Sequence, residues 1–573
     1  MSRPTRPRCF TVIRSAQGPI GRVAVLLAVL LGASAGTASA RQDGVLPIND
    51  PIQLFLERQQ AAGRIVAPVL SQLPLSGYEA KALLDSVALR ADELTAVDAR
   101  RLARFRGELD FPGAHGIRKL WNALYANGRD WISAESPDWA IQLNPIAILG
   151  YGQGTRTAGK GPDDTPSVMQ NTRGIRVSGH ISSLVFFEGR FTEGQERVVR
   201  PQEKDGTAPR HGFVSLVDGN VYDTFGTTGI VGLKSRFIEV RAGRDRARWG
   251  PAMSSVSLSN YAAPYDQVMV RAHFWRLSYT SLFAGFTSTV AQGGTAEDGL
   301  RRRKYGSMHR LDLALPGRLQ LGVFESVIFA TDAQEVRERF DWSYANPMIF
   351  LRAAERDRGS PDNALLGASL AWVPVSGLRL YGEMLLDEFN SKELGNQWWA
   401  NKFAWVAGAH VADLPFARVS ARAEVTRVRP FTYSHNDEIN AFVHYGDPLG
   451  FAGLSNALDY SLFLDWQPGD RISASIASIY TRQGRNADGT NFGSDPTVSN
   501  ETRAGNHGQA MLQGIRVNRV LVEGQLGYEL LPYVVLEAAI RYDSINDAET
   551  GLDRYVTPFV QLRWGLPFPW TRY

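Results

Sequence analysis

From about residue 138 onward, apolar and polar positions alternate in runs of about ten residues. In 534–543, Val534, Leu536, Ala538, Ile540 and Tyr542 fall on one face and Glu537, Arg541 and Asp543 on the other. In 417–426, Ala417, Val419, Ala421, Ala423 and Val425 oppose Arg418, Ser420, Arg422, Glu424 and Thr426. In 458–466, Leu458, Tyr460, Leu462, Leu464 and Trp466 oppose Asp459, Ser461 and Asp465. A period of two is that of a β-strand with unlike faces. A soluble β-sandwich also alternates, but its strands are usually shorter. They rarely put several charges on one face and Tyr or Trp at the ends of the other, where a membrane interface wants them.

The joints between these runs are of two kinds. Tight ones at Pro316 with Gly317, 374–377, Leu414 with Pro415, 467–470 and Leu531 with Pro532 alternate with long connections at 289–304, 331–362, 388–401, 428–456, 483–522 and 544–554. Short turns on one side and long loops on the other suit a transmembrane barrel, because only a closed antiparallel sheet pairs every backbone group in lipid. Strands are expected near 138–149, 173–180, 183–192, 228–234, 236–248, 266–273, 276–288, 305–315, 318–330, 363–373, 378–387, 402–412, 416–427, 457–466, 471–482, 523–531, 533–543 and 555–564. The turns around 228–234 and 266–273 are poorly marked, and 483–522 is long enough to hold another pair. The fold class expected is mostly β: a transmembrane antiparallel β-barrel of about 18 strands with a small N-terminal α-helical region. An even count brings the last strand back to the short-turn, periplasmic side.

The N-terminal part reads differently. Asp50 before Pro51 is a cap with proline at the first helical position, followed by Ile52, Phe55 and Leu56 on one stripe. Ser76 and Glu79 form a capping box ahead of Leu83, Leu84 and Val87, and Thr95 opens a third helix bearing Leu102, Phe105 and Leu109. The expected organisation is a signal peptide at 1–40, a helical region at 41–135 on the periplasmic side or within the mouth, and a barrel at 136–573.

Arg3, Arg6, Arg8, Arg14 and Arg22, a short apolar core at 23–31 and Ala38-Ser39-Ala40 make a secretory signal with cleavage after Ala40. That core is far shorter than the about 20 residues of a spanning helix. The single cysteine, Cys9, lies inside the signal, so the mature chain offers no disulfide or thiol chemistry. The whole chain has 62 basic and 58 acidic residues; the five signal arginines account for the surplus. The mature chain is close to neutral, which removes the case for a nucleic-acid partner. At the far end, Val556, Val560, Leu562 and Trp564 alternate with Thr557, Gln561 and Arg563 ahead of a terminal Tyr573, a signal for barrel-insertion machinery, with Pro567 and Pro569 as an irregularity.

Candidate chemistry is concentrated at 243–251, with Arg244, Asp245, Arg246, Arg248 and Trp249. Strict alternation would put these arginines on the lipid face with Ile238, Val240 and Ala242, at a cost of roughly 2–4 kcal/mol each at the midplane. The strand therefore either leaves the membrane near Gly243 or bulges to turn them inward. They then serve as an anion or sugar contact, or as an internal ion-pair network with Asp245 and neighbouring strands. Arg301, Arg302 and Arg303, with Lys304, and also Arg352, Arg356 and Arg358 fall in expected outer loops, where an acidic polysaccharide or lipopolysaccharide phosphate would meet them. Trp398, Trp399 and the run Phe431, Tyr433, His435, His444 and Tyr445 are outer-loop aromatics, suited to sugar faces, a girdle or a loop core. The sequence has no H-E-x-x-H, no nucleophile elbow and no phosphate loop. No enzyme activity, metal or cofactor is expected.

Leu46 to Asp50, Gly63 to Ile65, Pro74 to Ser76, Gly243 to Asp245 with Trp249 and Gly250, Leu258 to Asn260, Asn346 with Pro347, Asp362 with Asn363, and Tyr381 to Glu383 with Asp387 occur in an order that resembles the Wzi-type capsule assembly proteins over most of the mature chain. The resemblance implies an 18-stranded outer-membrane barrel with a periplasm-side helical element, acting as a lectin that anchors capsular polysaccharide or another exopolysaccharide. It transfers no sugar-contact residue. The partners expected are that polysaccharide, outer-membrane lipid and lipopolysaccharide. The alternative is a porin or substrate-specific channel, for which 16–18 strands is also a normal size. The lumen decides between them: open for a channel, filled for an anchor.

Overall fold

The computed structural model describes residues 44–110, 130–136, 138–159, 165–182, 184–200, 207–208, 210–218, 220–291, 301–330, 344 and 362–565. The signal at 1–40, Arg352, Arg356, Arg358 and the terminal Pro567, Pro569 and Tyr573 lie outside them.

Eighteen antiparallel strands close into one barrel. They are β1 (Trp139–Gln153), β2 (Ser167–Ile181), β3 (Val185–Arg197), β4 (Val221–Lys234), β5 (Ile238–Asp245), β6 (Tyr265–Phe274), β7 (Leu277–Ala291), β8 (Arg301–Leu315) and β9 (Leu319–Phe329). The second half is β10 (Asn363–Val375), β11 (Leu378–Glu388), β12 (Lys402–Ala412), β13 (Val419–Val428), β14 (Ala457–Trp466), β15 (Ile472–Arg485), β16 (Ile515–Leu531), β17 (Val534–Asp547) and β18 (Gly551–Trp564). Each follows its predecessor as a hairpin neighbour, and β18 closes on β1 from Phe559 opposite Gly152 to Trp564 opposite Ala147.

The alternation has its expected meaning. Leu536, Ile540, Leu462 and Trp466 are exposed on the outside, while Glu537, Arg422, Glu424 and Asp459 are buried inside. Strands β4 and β6, whose turns are weakly marked in sequence, are present, and β4 starts earlier than 228. The segment 486–514 holds no further barrel strand.

Among the described residues, three helices precede the barrel: α1 (Pro51–Ala61), α2 (Gly77–Ala88) and α3 (Ala96–Asp110). Asp50 caps α1 by accepting from the Ile52 amide, and Ser76 and Glu79 form the full capping box of α2. Within the region expected to be helical, Ile132–Ser136 is instead a strand that pairs with the start of β1. The helices sit at the short-turn end. Arg58 of α1 pairs with Asp98 of α3 and with Asp413 in the β12–β13 turn. Arg100 reaches Asp470 in the β14–β15 turn at 2.9 Å. Arg104 grips both oxygens of Glu529 at 2.7 Å, beside the β16–β17 turn. Their apolar faces form one core containing Ile52, Phe55, Leu84, Leu102 and Phe105.

Candidate functional site

The lumen is occupied by the chain itself. After Asp245 the backbone leaves the sheet and runs inward. Gly243 permits the departure: its φ is +142°, and a Cβ there would lie 1.9 Å from the Gly229 carbonyl oxygen. Trp249 and Arg248 then pair as a short ribbon with Gln72 and Leu73 of the N-terminal region. The inserted loop is pinned by lumen-facing carboxylates. Glu383 of β11 accepts from the Ala252 amide at 2.9 Å and the Ser255 hydroxyl at 2.8 Å. Glu424 of β13 accepts from the Met253 and Ser254 amides. Gly250 is required at this approach, because a Cβ would lie 2.0 Å from a Glu383 oxygen. From the other end, 429–456 folds down and buries Phe431, Tyr433, Phe442 and Phe451 completely. Trp249, Val256, Leu258, Tyr265, Phe286, Tyr433 and Phe451 belong to one apolar core inside the barrel.

The helices are tied to this core by charge. Glu57 of α1 accepts from Arg422 of β13 at 2.6 Å and from Arg248 at 2.7 Å. Burial alone would raise the Glu57 pKa, but Arg422 and Arg248 outweigh it and hold the carboxyl at about 2. Glu79, the capping-box residue of α2, also meets Arg271 at 2.9 Å and His273 at 2.7 Å. Burial opposes its ionisation, yet Arg271 and His273 hold its pKa well below the usual range.

Among the described residues, a cavity of about 520 Å³ lies in the long-loop half of the lumen, against the continuous wall of β16–β18 and β1–β5. Its wall includes Arg190, Arg200, Arg210, Arg246, Arg519 and Arg541, against the acids Glu196, Glu523 and Asp543. Several are paired: Arg541 with Glu523 at 2.7 Å, Arg200 with Asp543 and with Asp553, and Arg190 with Glu188 at 3.2 Å. Arg246 is held differently, donating to the carbonyls of Ala262 at 2.8 Å and Arg210 at 2.6 Å. Asp447 accepts the Arg210 amide at 2.8 Å. Burial, and then the neighbouring Arg210 charge, lower the Arg246 pKa to about 10. Burial raises Asp447 to about 6, against the Arg210 amide it accepts and the nearby charges of Arg210 and Arg246.

The residues singled out in sequence are scattered around this geometry. Arg244 stays on the outer face at the top of β5, 2.9 Å from Asp266, and also borders the cavity. Asp245 accepts the Arg246 amide, and Arg246 lines the cavity. Arg248 and Trp249 are fully interior, Trp249 packing edge-on against Phe324. The chain thus leaves the sheet and turns Arg246 and Arg248 inward, while Arg244 stays outside, as strict alternation requires. Arg301, Arg302 and Arg303 are not in a loop: they begin β8, where Arg301 donates to the Thr289 carbonyl and Arg303 lies 3.9 Å from Asp266. Lys304 points inward and donates to Ala441, so the basic run is divided between the two faces of a strand. Trp398 and Trp399 are half-buried in the outer loops, Trp399 under the Arg503 guanidinium at 4.1 Å and edge-on to Phe431. Sequence reasoning missed Arg190, Arg210, Arg519 and Arg541. Arg190, Arg519 and Arg541 alternate with apolar or small residues on ordinary strands and carry no local mark of convergence.

Alternating strands, short turns at the helical end and a lumen filled by its own loops define an outer-membrane β-barrel closed by its own chain. Residues 222–537, more than half of the sequence, match the model of capsule assembly protein Wzi, and the chain belongs to that family. The solved Wzi outer-membrane protein of Escherichia coli, a carbohydrate-binding β-barrel involved in group 1 capsule assembly, shares 13% identity. The match covers 92% of this chain and 99% of that one, with a TM-score of 0.55. OprD of Pseudomonas aeruginosa matches at 9% identity over 74% of this chain and 94% of its own, with a TM-score of 0.40. OccK8 (OprE) of the same organism matches at 8% over 75% and 98%, with a TM-score of 0.41. No curated protein sequence matches this chain.

Proposed function

We propose that this protein is a non-enzymatic polysaccharide-binding barrel that attaches capsular polysaccharide or exopolysaccharide to the cell surface. The observation that carries the reading is the combination of a blocked lumen with a polar cavity in its long-loop half. A diffusion channel needs a continuous aqueous path, and the apolar core around Trp249, Tyr433 and Phe451 occupies that path. A site that holds polymer at the surface needs only a recess facing outward. Membership of the Wzi family, and the carbohydrate-binding barrel of E. coli as a structural neighbour, support the same reading. The rim residues Arg301, Arg302, Arg303, Trp398 and Trp399 lie at the same end and extend the surface over which a chain could lie.

Deletion of the gene tests this. The expected phenotype is loss of cell-associated polymer with continued release of full-length polymer into the medium, since an anchor acts after synthesis and export. A deletion strain that makes no polymer in either fraction would place the protein in synthesis or export instead.

A further inference from the structure

We infer that the upper-lumen cavity is a site for a carboxylate-bearing sugar unit, with Arg210 and Arg246 as the paired cations that receive the carboxylate. This rests on the polysaccharide-binding reading above and adds to it the charge class of the ligand and the place where it is held.

Three observations converge. The first is shape: about 520 Å³ lies within the ~300–1,000 Å³ of ordinary ligand sites, so the cavity suits a short piece of a sugar chain entering from the long-loop side. The second is composition. Arg190, Arg210, Arg246, Arg519 and Arg541 come from five separate segments of the chain onto one recess. Arg190 and Arg541 are paired with Glu188 and Glu523, as Arg248 and Arg422 are with Glu57 and Arg271 is with Glu79, so the pair that stands apart is Arg210 and Arg246. The third is how the central pair is held. The Arg246 guanidinium is oriented by two backbone carbonyls, which fix its direction without cancelling its charge. Among the described residues no carboxylate stands within salt-bridge distance of the Arg210 or Arg246 guanidinium; Asp447 engages the Arg210 backbone instead. In the wall beside them, the buried Nε of Arg190 meets no acceptor.

A guanidinium is planar and presents parallel N–H groups that match a carboxylate in two-point geometry, which a neutral sugar hydroxyl does not. Like charges brought together in a recess with low-dielectric walls focus their field on the opening, and draw an anion in. The cavity therefore selects an acidic glycan over a neutral one, and does so inside the barrel instead of on the exposed basic residues of the rim.

The test is calorimetric titration of the purified full chain in detergent with three probes: hexameric oligogalacturonate, maltohexaose and inorganic phosphate. Oligogalacturonate is expected to bind at least tenfold more tightly than maltohexaose in 50 mM salt, with the preference shrinking at high salt as the charges are screened. The Arg210→Gln, Arg246→Gln double variant should lose at least tenfold toward oligogalacturonate and little toward maltohexaose, and Arg246→Lys should recover part of the loss. The wild-type comparison of charged and neutral probes needs no variant to fold, and so stands by itself. Equal binding of the two hexamers would overturn the anionic site while leaving a polysaccharide-binding barrel in place. Inorganic phosphate binding more tightly than oligogalacturonate would overturn it in favour of a phosphate site. If the deletion strain keeps its polymer, the broader function fails whatever the titration shows.

Discussion

Replacing Glu57 with Gln should loosen the helical region from the barrel without disturbing its packing. The carboxylate of Glu57 bridges Arg422 at 2.6 Å and Arg248 at 2.7 Å, and it also accepts from Gln53 at 2.9 Å. Glutamine has the same shape but removes the carboxylate that both guanidinium groups share. The pKa of Glu57 falls from 4.5 to about 2 because Arg422 and Arg248 outweigh burial, which corresponds to roughly 3 kcal/mol between its charged and neutral forms. Breaking a buried ion pair on one side costs about 3–5 kcal/mol, which agrees. About 3 kcal/mol is about a hundredfold in the opening equilibrium of α1. Hydrogen exchange of the amides in Pro51–Ala61, measured on the folded barrel at neutral pH, reads that opening directly. The folded-state pKa is depressed, so the stabilisation is complete above about 4.5 and is lost as pH falls toward 2. Wild-type exchange, corrected for its intrinsic pH dependence, should be flat from pH 7 to 5 and rise below about 4. Exchange in the Glu57→Gln protein within about threefold of wild type would refute the view that charge docks this helix.

An epitope tag inserted at Asn486, in the long-loop end, should be labelled on intact cells and one at Gly469, in the β14–β15 turn, should not; labelling at Gly469 would reverse the orientation. In planar bilayers the mature protein should pass little or no steady current because the apolar core spans the lumen, and large ohmic channels would favour a porin. Oligogalacturonate affinity should rise as pH falls from 7.5 to 5.5, because Asp447, held at about 6 by burial, loses its negative charge beside Arg210 and Arg246. Titration in a His211→Gln background silences the histidine that faces Glu196, and Asp447→Asn should then abolish the remaining pH dependence. An unchanged slope would remove Asp447 from the site.

Strands were readable because lipid and lumen impose opposite demands on successive residues. Leu536 and Glu537 cannot exchange places without burying a charge in hydrocarbon, so the pattern is local and legible. The upper parts of the strands were less so. Beyond the apolar band both faces meet water, alternation loses its cause, and β4 and β16 run further up than their apolar patterns indicate. Loop destinations were not legible at all. Phe431, Tyr433 and His444 read as outer-loop aromatics with a loop core among their roles, and all three are buried, but nothing in their spacing shows that this core descends to join Trp249. A loop has no period to reveal which surface its apolar residues cover.

The family motifs show why the site itself stayed hidden. Trp249 with Gly250, Leu258 and Glu383 are joined to one another: Glu383 binds the inserted loop at Ser255, Gly250 permits its approach, and Trp249 and Leu258 pair across it. Asp387 likewise accepts the Tyr433 amide of the descending outer loop. The short patterns that mark the chain are thus the fastenings of its plug, where backbone approach leaves few residue choices. A ligand site assembled from arginines on five separate segments has no such local constraint. Arg210 and Arg541 are more than three hundred residues apart and meet only once the barrel closes. Identity in this chain is therefore written in what seals the lumen, while specificity rests with the residues that line the space left over.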